Sequence, residues 1–248
     1  MLSEIPDDEF AAALDACAAD VLWEAGVIDP PIDALVVADR LDLVVTHDFA
    51  MPERGRFVRL AETDQHSCRP GTIVVGAAER PEREQWAVAH EIGESVAYRV
   101  FERLGVRFDE SLATAREQVA NRLASAILLP RRWLAADGPE NDWDLLELKA
   151  RYSTASHELI ARRMLEMRSG IVITMFDQGR ISWRRSNVTA RPPDMLAEER
   201  AAWQACHKTG VPADILVDAE CGLERVRAWP IHEPEWKREI MRSEIVEA

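Results

Sequence analysis

The sequence predicts an α+β protein, and three observations carry that expectation. Two long stretches, 81–105 and 111–128, repeat apolar residues at helical spacing. Short apolar runs bounded by turn residues, such as Thr72-Ile73-Val74-Val75 after Pro70-Gly71, read as strands. After Gly170, Ile171 to Phe176, the turn Asp177-Gln178-Gly179 and a second run from Ile181 read as a hairpin.

In chain order, a first Ala-rich helix is expected from about Asp8 to Gly26, with the glycine ending it. Pro30-Pro31 breaks the chain. Ile32 to Leu41 is expected as a short helix, and Leu43-Val44-Val45, Gly55 to Leu60 and Thr72 to Val75 as strands. The longest helix opens at Pro81, whose missing N–H costs nothing in a first turn. Glu82 and Glu84 complement its positive end, and Gly105 stops it. The next runs from about Ser111 to Leu128, before Pro130. Pro139 to Asp142 reads as a polar joint, and Leu145 to Tyr152 with Thr154 to Met167 as a helical pair. Pro192-Pro193 opens a tail marked by Trp203, Gly210, Gly222, Trp229 and Trp236. The expected partition is a first domain over 1–140, a helical link over 141–169 and a small C-terminal α/β domain over 170–248.

Composition narrows the function. The 248 residues are 47% hydrophobic and 30% charged, an ordinary globular balance that excludes disorder throughout. The formal charge is −14 and the pI about 4.9, which opposes general nucleic-acid binding, since phosphate contacts need clustered Lys and Arg. The first residues carry no basic and apolar leader, and no apolar run approaches the ~20 residues of a membrane helix. The four cysteines form no C-x-x-C pair. A cytoplasmic protein with reduced thiols and no membrane association is expected.

Candidate chemistry sits on the two long helices. At about 100° per residue, His90 falls in the stripe of Trp86, Gly93, Ala97, Phe101 and Leu104. Glu94 lies at the edge of that stripe and Glu91 beside it. On the next helix, Glu117 falls in the stripe of Ala113, Ala120, Ala124, Ile127 and Leu128, with Asn121 alongside. Carboxylates on buried faces require a cation, a metal or a raised pKa. One metal ion bound by His90, Glu94 and Glu117 would satisfy all three; pairing with Arg116 or Arg122 is the alternative.

The stretch Trp86-Ala87-Val88-Ala89-His90-Glu91-Ile92-Gly93-Glu94 resembles the H-E-x-G-H helix of the ImmA/IrrE family of metallopeptidases. Glu117-Gln118-Val119-Ala120-Asn121-Arg122-Leu123-Ala124, running on to Leu128-Leu129-Pro130, resembles that family's E-x-x-A-N-x-F-A-x-x-L-L-x-P helix. Leu148 to Ala155 resembles its following L-x-x-x-F-x-V-S segment, and the likeness spans roughly residues 30 to 168. The resemblance implies a zincin-like domain in which His90 and Glu117 ligate zinc and Glu91 is the general base. Glu94 stands where the family has its second histidine. A carboxylate ligates zinc at about 2.0–2.2 Å, but two carboxylates and one imidazole bring a divalent ion to zero net charge instead of +1. Bound water then ionises less readily, and Mn²⁺ or another ion competes better with Zn²⁺. Asn121 is a candidate supporting residue for the ligands.

Other positions carry less. His66 and Cys68 form an H-x-C pair in a polar loop, and Cys206-His207 with Cys221 and His232 fit no finger spacing. Counted from Asp142 to Arg168, the helical pair and its flanks carry five acids and five bases, a poor phosphate footprint, and the pair is expected to pack on the first domain. The tail tryptophans are expected in the core. The leading expectation is a metal-dependent endopeptidase acting on a regulatory protein; the resemblance implies a helix-turn-helix repressor as substrate. A catalytically degenerate, partner-binding regulator is the alternative, and a DNA-binding regulator the third reading.

Overall fold

The computed structural model describes residues 4–48, 55–58, 71–78, 80–109 and 111–246; His66 and Cys68 lie outside them. The chain divides into two compact units, Met1–Asp137 with Lys149–Ser156, and Gly138–Leu148 with His157–Ala248. The segment expected as a link, 141–169, is shared between the two. Helix and sheet are mixed in the α+β manner expected. Among the described residues, no helix is long and apolar enough to cross a membrane.

In the first unit, α1 (Asp7–Glu24) carries Asp7, Asp8 and Glu9 at its positive end and buries Phe10, Leu14, Cys17 and Val21. Helix α2 (Ala34–Arg40) is capped by Asp33, whose carboxylate accepts from Leu35 N at 2.9 Å. Three strands follow: β1 (Val44–Asp48), β2 (Gly55–Val58) and β3 (Thr72–Gly76). Their order is β1-β3-β2, with β1 parallel and β2 antiparallel to β3. The long helix α3 (Pro81–Arg103) then packs on β2, β3, α1, α2 and α4 (Ala113–Leu128). Gln85 of α3 ties α2 down, donating to Asp33 Oδ1 at 2.9 Å and accepting from Ala34 N at 2.6 Å.

The α3–α4 crossing is a close one. A Cβ built on Gly93 would lie 2.8 Å from the Ala120 carbonyl oxygen and 3.1 Å from Leu123 Cβ. Gly93 is therefore a packing glycine inside a helix, where the missing side chain lets two backbones meet. Helix α5 (Arg131–Glu140) follows, then α6 (Leu145–Arg151). Asp137 is buried and accepts from Tyr152 Oη and Arg151 Nε, both at 2.5 Å. The joint expected at Pro139–Asp142 begins later than expected: Pro139 lies inside α5, and the helix breaks where Asp142 and Trp143 take positive φ.

In the second unit, α7 (His157–Met164) begins three residues later than the sequence suggests. A five-stranded antiparallel sheet follows, built of β4 (Ile171–Asp177), β5 (Arg180–Ser186), β6 (Ala213–Leu216), β7 (Leu223–Pro230) and β8 (Arg238–Ile245) in the order β5-β4-β8-β7-β6. The expected hairpin is β4–β5, turned by Gln178 and Gly179, both at positive φ. Helix α8 (Ala197–Thr209) covers one sheet face and ends at Gly210, φ +66°. Strand alternation sends Phe176, Val226, Ala228 and Met241 toward Ala202 and Cys206 of α8. Phe176 stacks on Trp203 with ring centroids 4.7 Å apart. Glu199 on α8 is buried and receives both Arg184 Nη2 contacts, at 2.9 and 3.0 Å, and Ser243 Oγ at 2.5 Å. The other face carries Arg227, Trp229 and Arg242 against Asp142, Trp143 and Asp144, with Trp229 Nε1 donating to Asp144 at 2.9 Å. Of the tail tryptophans expected in the core, Trp229 is buried and Trp203 half-buried, but Trp236 is exposed and donates to Asp177.

Two outcomes follow from this packing. Gly93→Ala gains helix propensity of about 1 kcal/mol but drives a methyl into backbone, so a net loss of about 1–3 kcal/mol is expected in denaturant unfolding. A variant as stable as the parent would refute the close crossing. Burial pushes the Cys17 thiol up to about 11 and the Cys206 thiol up to about 12, whereas Cys221 is exposed. Alkylation of the folded protein at pH 8 should therefore mark Cys221 while sparing Cys17 and Cys206 until denaturant is added. Rapid labelling of Cys206 in the folded chain would contradict its place in the α8–sheet core.

Candidate metal centre

One turn before the Gly93–Ala120 contact on each helix stand His90 and Glu117. His90 Nε2 lies 3.6 Å from Glu117 Oε2. On α3 itself, His90, Glu91 and Glu94 bring ligating atoms within 4.8 Å of one another. The helical spacing that joins His90 to Glu94 is i, i+4, which stacks the two side chains on one side of the helix. Asn121, one turn after Glu117, donates its Nδ2–H to Glu117 Oε1 at 3.0 Å and to the Glu117 carbonyl at 2.9 Å. That fixes one carboxylate oxygen and leaves the other facing His90. His90 is thus the shared member: it lies with Glu91 and Glu94 on α3 and 3.6 Å from Glu117 across the crossing, whereas Glu117 is not part of the α3 cluster of ligating atoms within 4.8 Å.

Burial is distributed differently from the sequence expectation. Glu117 is 62% exposed and Glu94 is exposed, whereas His90 is half-buried. Glu91, expected beside the apolar stripe, is the buried member at 2%. The reason is that α3 is covered from several sides. Its buried residues, among them Gln85, Val88, Ala89, Ile92, Val96 and Val100, define a broad arc that leaves His90 at one rim. A stripe drawn through Trp86, Ala97 and Leu104 assumes a single packing partner. Glu94 and Glu117 are open to solvent, so desolvation by itself does not call for a metal at either of them.

The rival pairing with arginine is not what the side chains do. Arg122 lies over the Phe10 ring at 4.7 Å and Arg116 over the Phe108 ring at 5.4 Å. Among the described residues neither forms an ion pair with Glu94 or Glu117. Tyr98, two turns beyond His90 on α3, is 37% exposed and accepts from Arg99 Nε at 3.4 Å. The basic residues of the helical pair are also engaged: Arg162 holds Glu158 at 2.8 Å and covers the Trp183 ring, and Arg163 is buried against Glu166. They present no row of free cations to a phosphate backbone.

A carboxylate-rich donor set with one imidazole suits a divalent ion, and the available oxygens broaden the choice beyond zinc. Sequence spacing found His90, Glu91, Glu94, Glu117 and Asn121. It did not find a second cluster, His207, His232 and Glu239, whose ligating atoms also lie within 4.8 Å. Cys206 and Cys221, weighed with those histidines in the sequence, are not part of it. Glu239 is brought in by strand pairing, Pro230 opposite Glu239, a non-local contact with no short motif behind it.

The sequence profile of the IrrE N-terminal-like domain, Peptidase M78, matches residues 38–165, a little over half of the chain. Among solved structures, a Mycobacterium tuberculosis transcriptional regulator superposes with a TM-score of 0.63 at 18% identity, over 94% of this chain and 88% of that one. At that identity the likeness is one of fold. No curated protein matches the chain. The profile spans both helices of the crossing and every residue of the candidate centre, in a family whose members are metal-dependent peptidases, and on that ground the chain belongs to the Peptidase M78 family.

Proposed function

We propose that the chain is a cytoplasmic metal-dependent endopeptidase that cleaves a regulatory protein, with a helix-turn-helix repressor as the expected substrate. The observation supporting this reading is the cluster of His90, Glu91 and Glu94 on α3, with Glu117 of α4 3.6 Å from His90, within a Peptidase M78 domain. His90, Glu94 and Glu117 would hold the ion, Zn²⁺ or another divalent such as Mn²⁺. When bound, it supplies a Lewis acid that polarises water and the scissile carbonyl. Glu91 accepts the proton of the attacking water and returns it to the leaving amine. Its buried position next to His90 keeps that proton at a fixed point, away from bulk solvent. Asn121 orients Glu117 by occupying Oε1.

A second reading is favoured by Glu94. An exposed carboxylate stands where the resemblance places a histidine, and two carboxylates cancel the charge of a divalent ion. A site of that charge is weaker as a Lewis acid and suits a regulator that grips a partner without cutting it.

Glu91→Gln separates the two. It preserves size and hydrogen bonding but removes the base. In the peptidase it should keep metal and fold while cleavage of a candidate repressor falls by about 10²-fold or more, followed by intact mass with and without Zn²⁺ or Mn²⁺. Equal fragmentation by parent and variant would exclude Glu91 as the base. Binding by both without any fragments would favour the regulator. Glu94→His is expected to raise zinc affinity by adding an imidazole donor. Unchanged or lower affinity, in a variant of parental thermal stability, would show that Glu94 is matched to another ion.

A further inference from the structure

The second unit contains a polar cluster that the peptidase reading does not use. His207 lies in the last turn of α8, His232 in the loop after β7, and Glu239 near the start of β8. Glu239 is 0% exposed. Its Oε1 accepts from His207 Nδ1 at 2.8 Å and from His232 Nε2 at 2.6 Å, and its Oε2 from Trp203 Nε1 at 3.3 Å. From these contacts we infer that His207, His232 and Glu239 form a second divalent-metal site, taking a borderline transition metal such as Zn²⁺, independent of the centre around His90.

The comparison with Glu199 carries much of the weight. Both are fully buried carboxylates at the α8–sheet interface. Glu199 is neutralised by the Arg184 guanidinium, the usual solution for a buried charge. Glu239 has no Lys or Arg at ion-pair distance among the described residues; facing its Oε1 are two imidazoles. Two imidazole nitrogens and one carboxylate oxygen are a known zinc donor set, one that leaves a coordination position open. Nitrogen donors also select against Mg²⁺ and Ca²⁺.

The scaffold holds these donors in place. His232 is flanked by backbone hydrogen bonds, Ile231 N to Arg238 O at 2.7 Å and Glu233 N to Trp236 O at 2.8 Å. Lys237 Nζ donates to the His207 carbonyl at 3.3 Å. Trp203 occupies Oε2 and so presents Oε1 to the histidines, the role outer-shell donors play at metal centres. The two rings stand nearly perpendicular, 81° apart, and their side chains are 32% and 23% exposed, which gives an ion a path from solvent. Donors around a tetrahedral ion lie roughly 3.3 Å apart, so each ring would withdraw from Oε1 by roughly half an ångström. Cys206 adjoins His207, but burial pushes its thiol up to about 12, and its place is in the apolar core.

The test uses full-length protein purified without chelators or a metal-affinity tag, in the His90→Ala background that removes the first centre. Zn²⁺ titration against a chromophoric chelator should still show one equivalent bound. Co²⁺ should give the visible bands of a nitrogen–oxygen site. Adding His232→Ala, in a half-exposed loop, should weaken binding by about 10²-fold or more. His207→Gln, which keeps a donor facing Glu239, should do the same with circular dichroism unchanged. Absence of binding in the His90→Ala protein would overturn the proposal, as would affinity unmoved by both second-unit variants. Neither result bears on peptidase activity, and loss of that activity in His90→Ala does not bear on this site.

Discussion

The contact between Gly93 and Ala120 is the constraint on which the candidate centre depends. A helix interior gives up stability by holding a glycine, and here the loss is offset by a backbone-to-backbone approach that a methyl group would block. Everything chemical is placed relative to that contact. His90 and Glu117 each lie one turn before it, Glu91 and Glu94 extend the set along α3, and Asn121 holds Glu117 from one turn beyond. The polar groups sit at the rim of the crossing, with apolar contacts at its middle. Of the carboxylates in the set, Glu91 alone is buried.

Much of this was legible in the sequence because it is local. Helix spacing puts His90, Glu91 and Glu94 together regardless of what packs around them, and Asn121 reaches Glu117 by the same i, i+4 rule. Boundaries through Leu128 were readable from Pro81, Gly105 and Pro130, residues that act on their own backbone. Burial was not readable, because it belongs to the neighbours. Glu91 is covered and Glu117 open as a result of where α1, α2 and the small sheet meet α3, and none of those contacts is written in either helix.

The C-terminal unit shows the opposite case. Strands β7 and β8 place Arg227 and Arg242 at buried positions, which breaks the alternation of apolar and polar residues by which strands are recognised. Those arginines lie against Asp142 and the Trp143 ring, supplied from a distant part of the chain, and against Trp229 and Glu244 on β7 and β8 themselves. The α8 pattern, with Glu199, Ala202 and Cys206 on one face, was present in the sequence, but its partner strands were hidden. His207, His232 and Glu239 meet only through that hidden topology.

The strand order of the five-stranded sheet has a consequence for self-association. Its two edges, β5 and β6, are where a foreign strand would add. Strand β6 is only four residues long, with Asp214 engaged by Arg225 from its neighbour, and offers little ladder to extend. Strand β5 is longer but carries exposed Arg180 and Arg185, so a second copy approaching in register would bring like charges together. The central strands are thus kept from intermolecular pairing by a short edge on one side and a basic edge on the other.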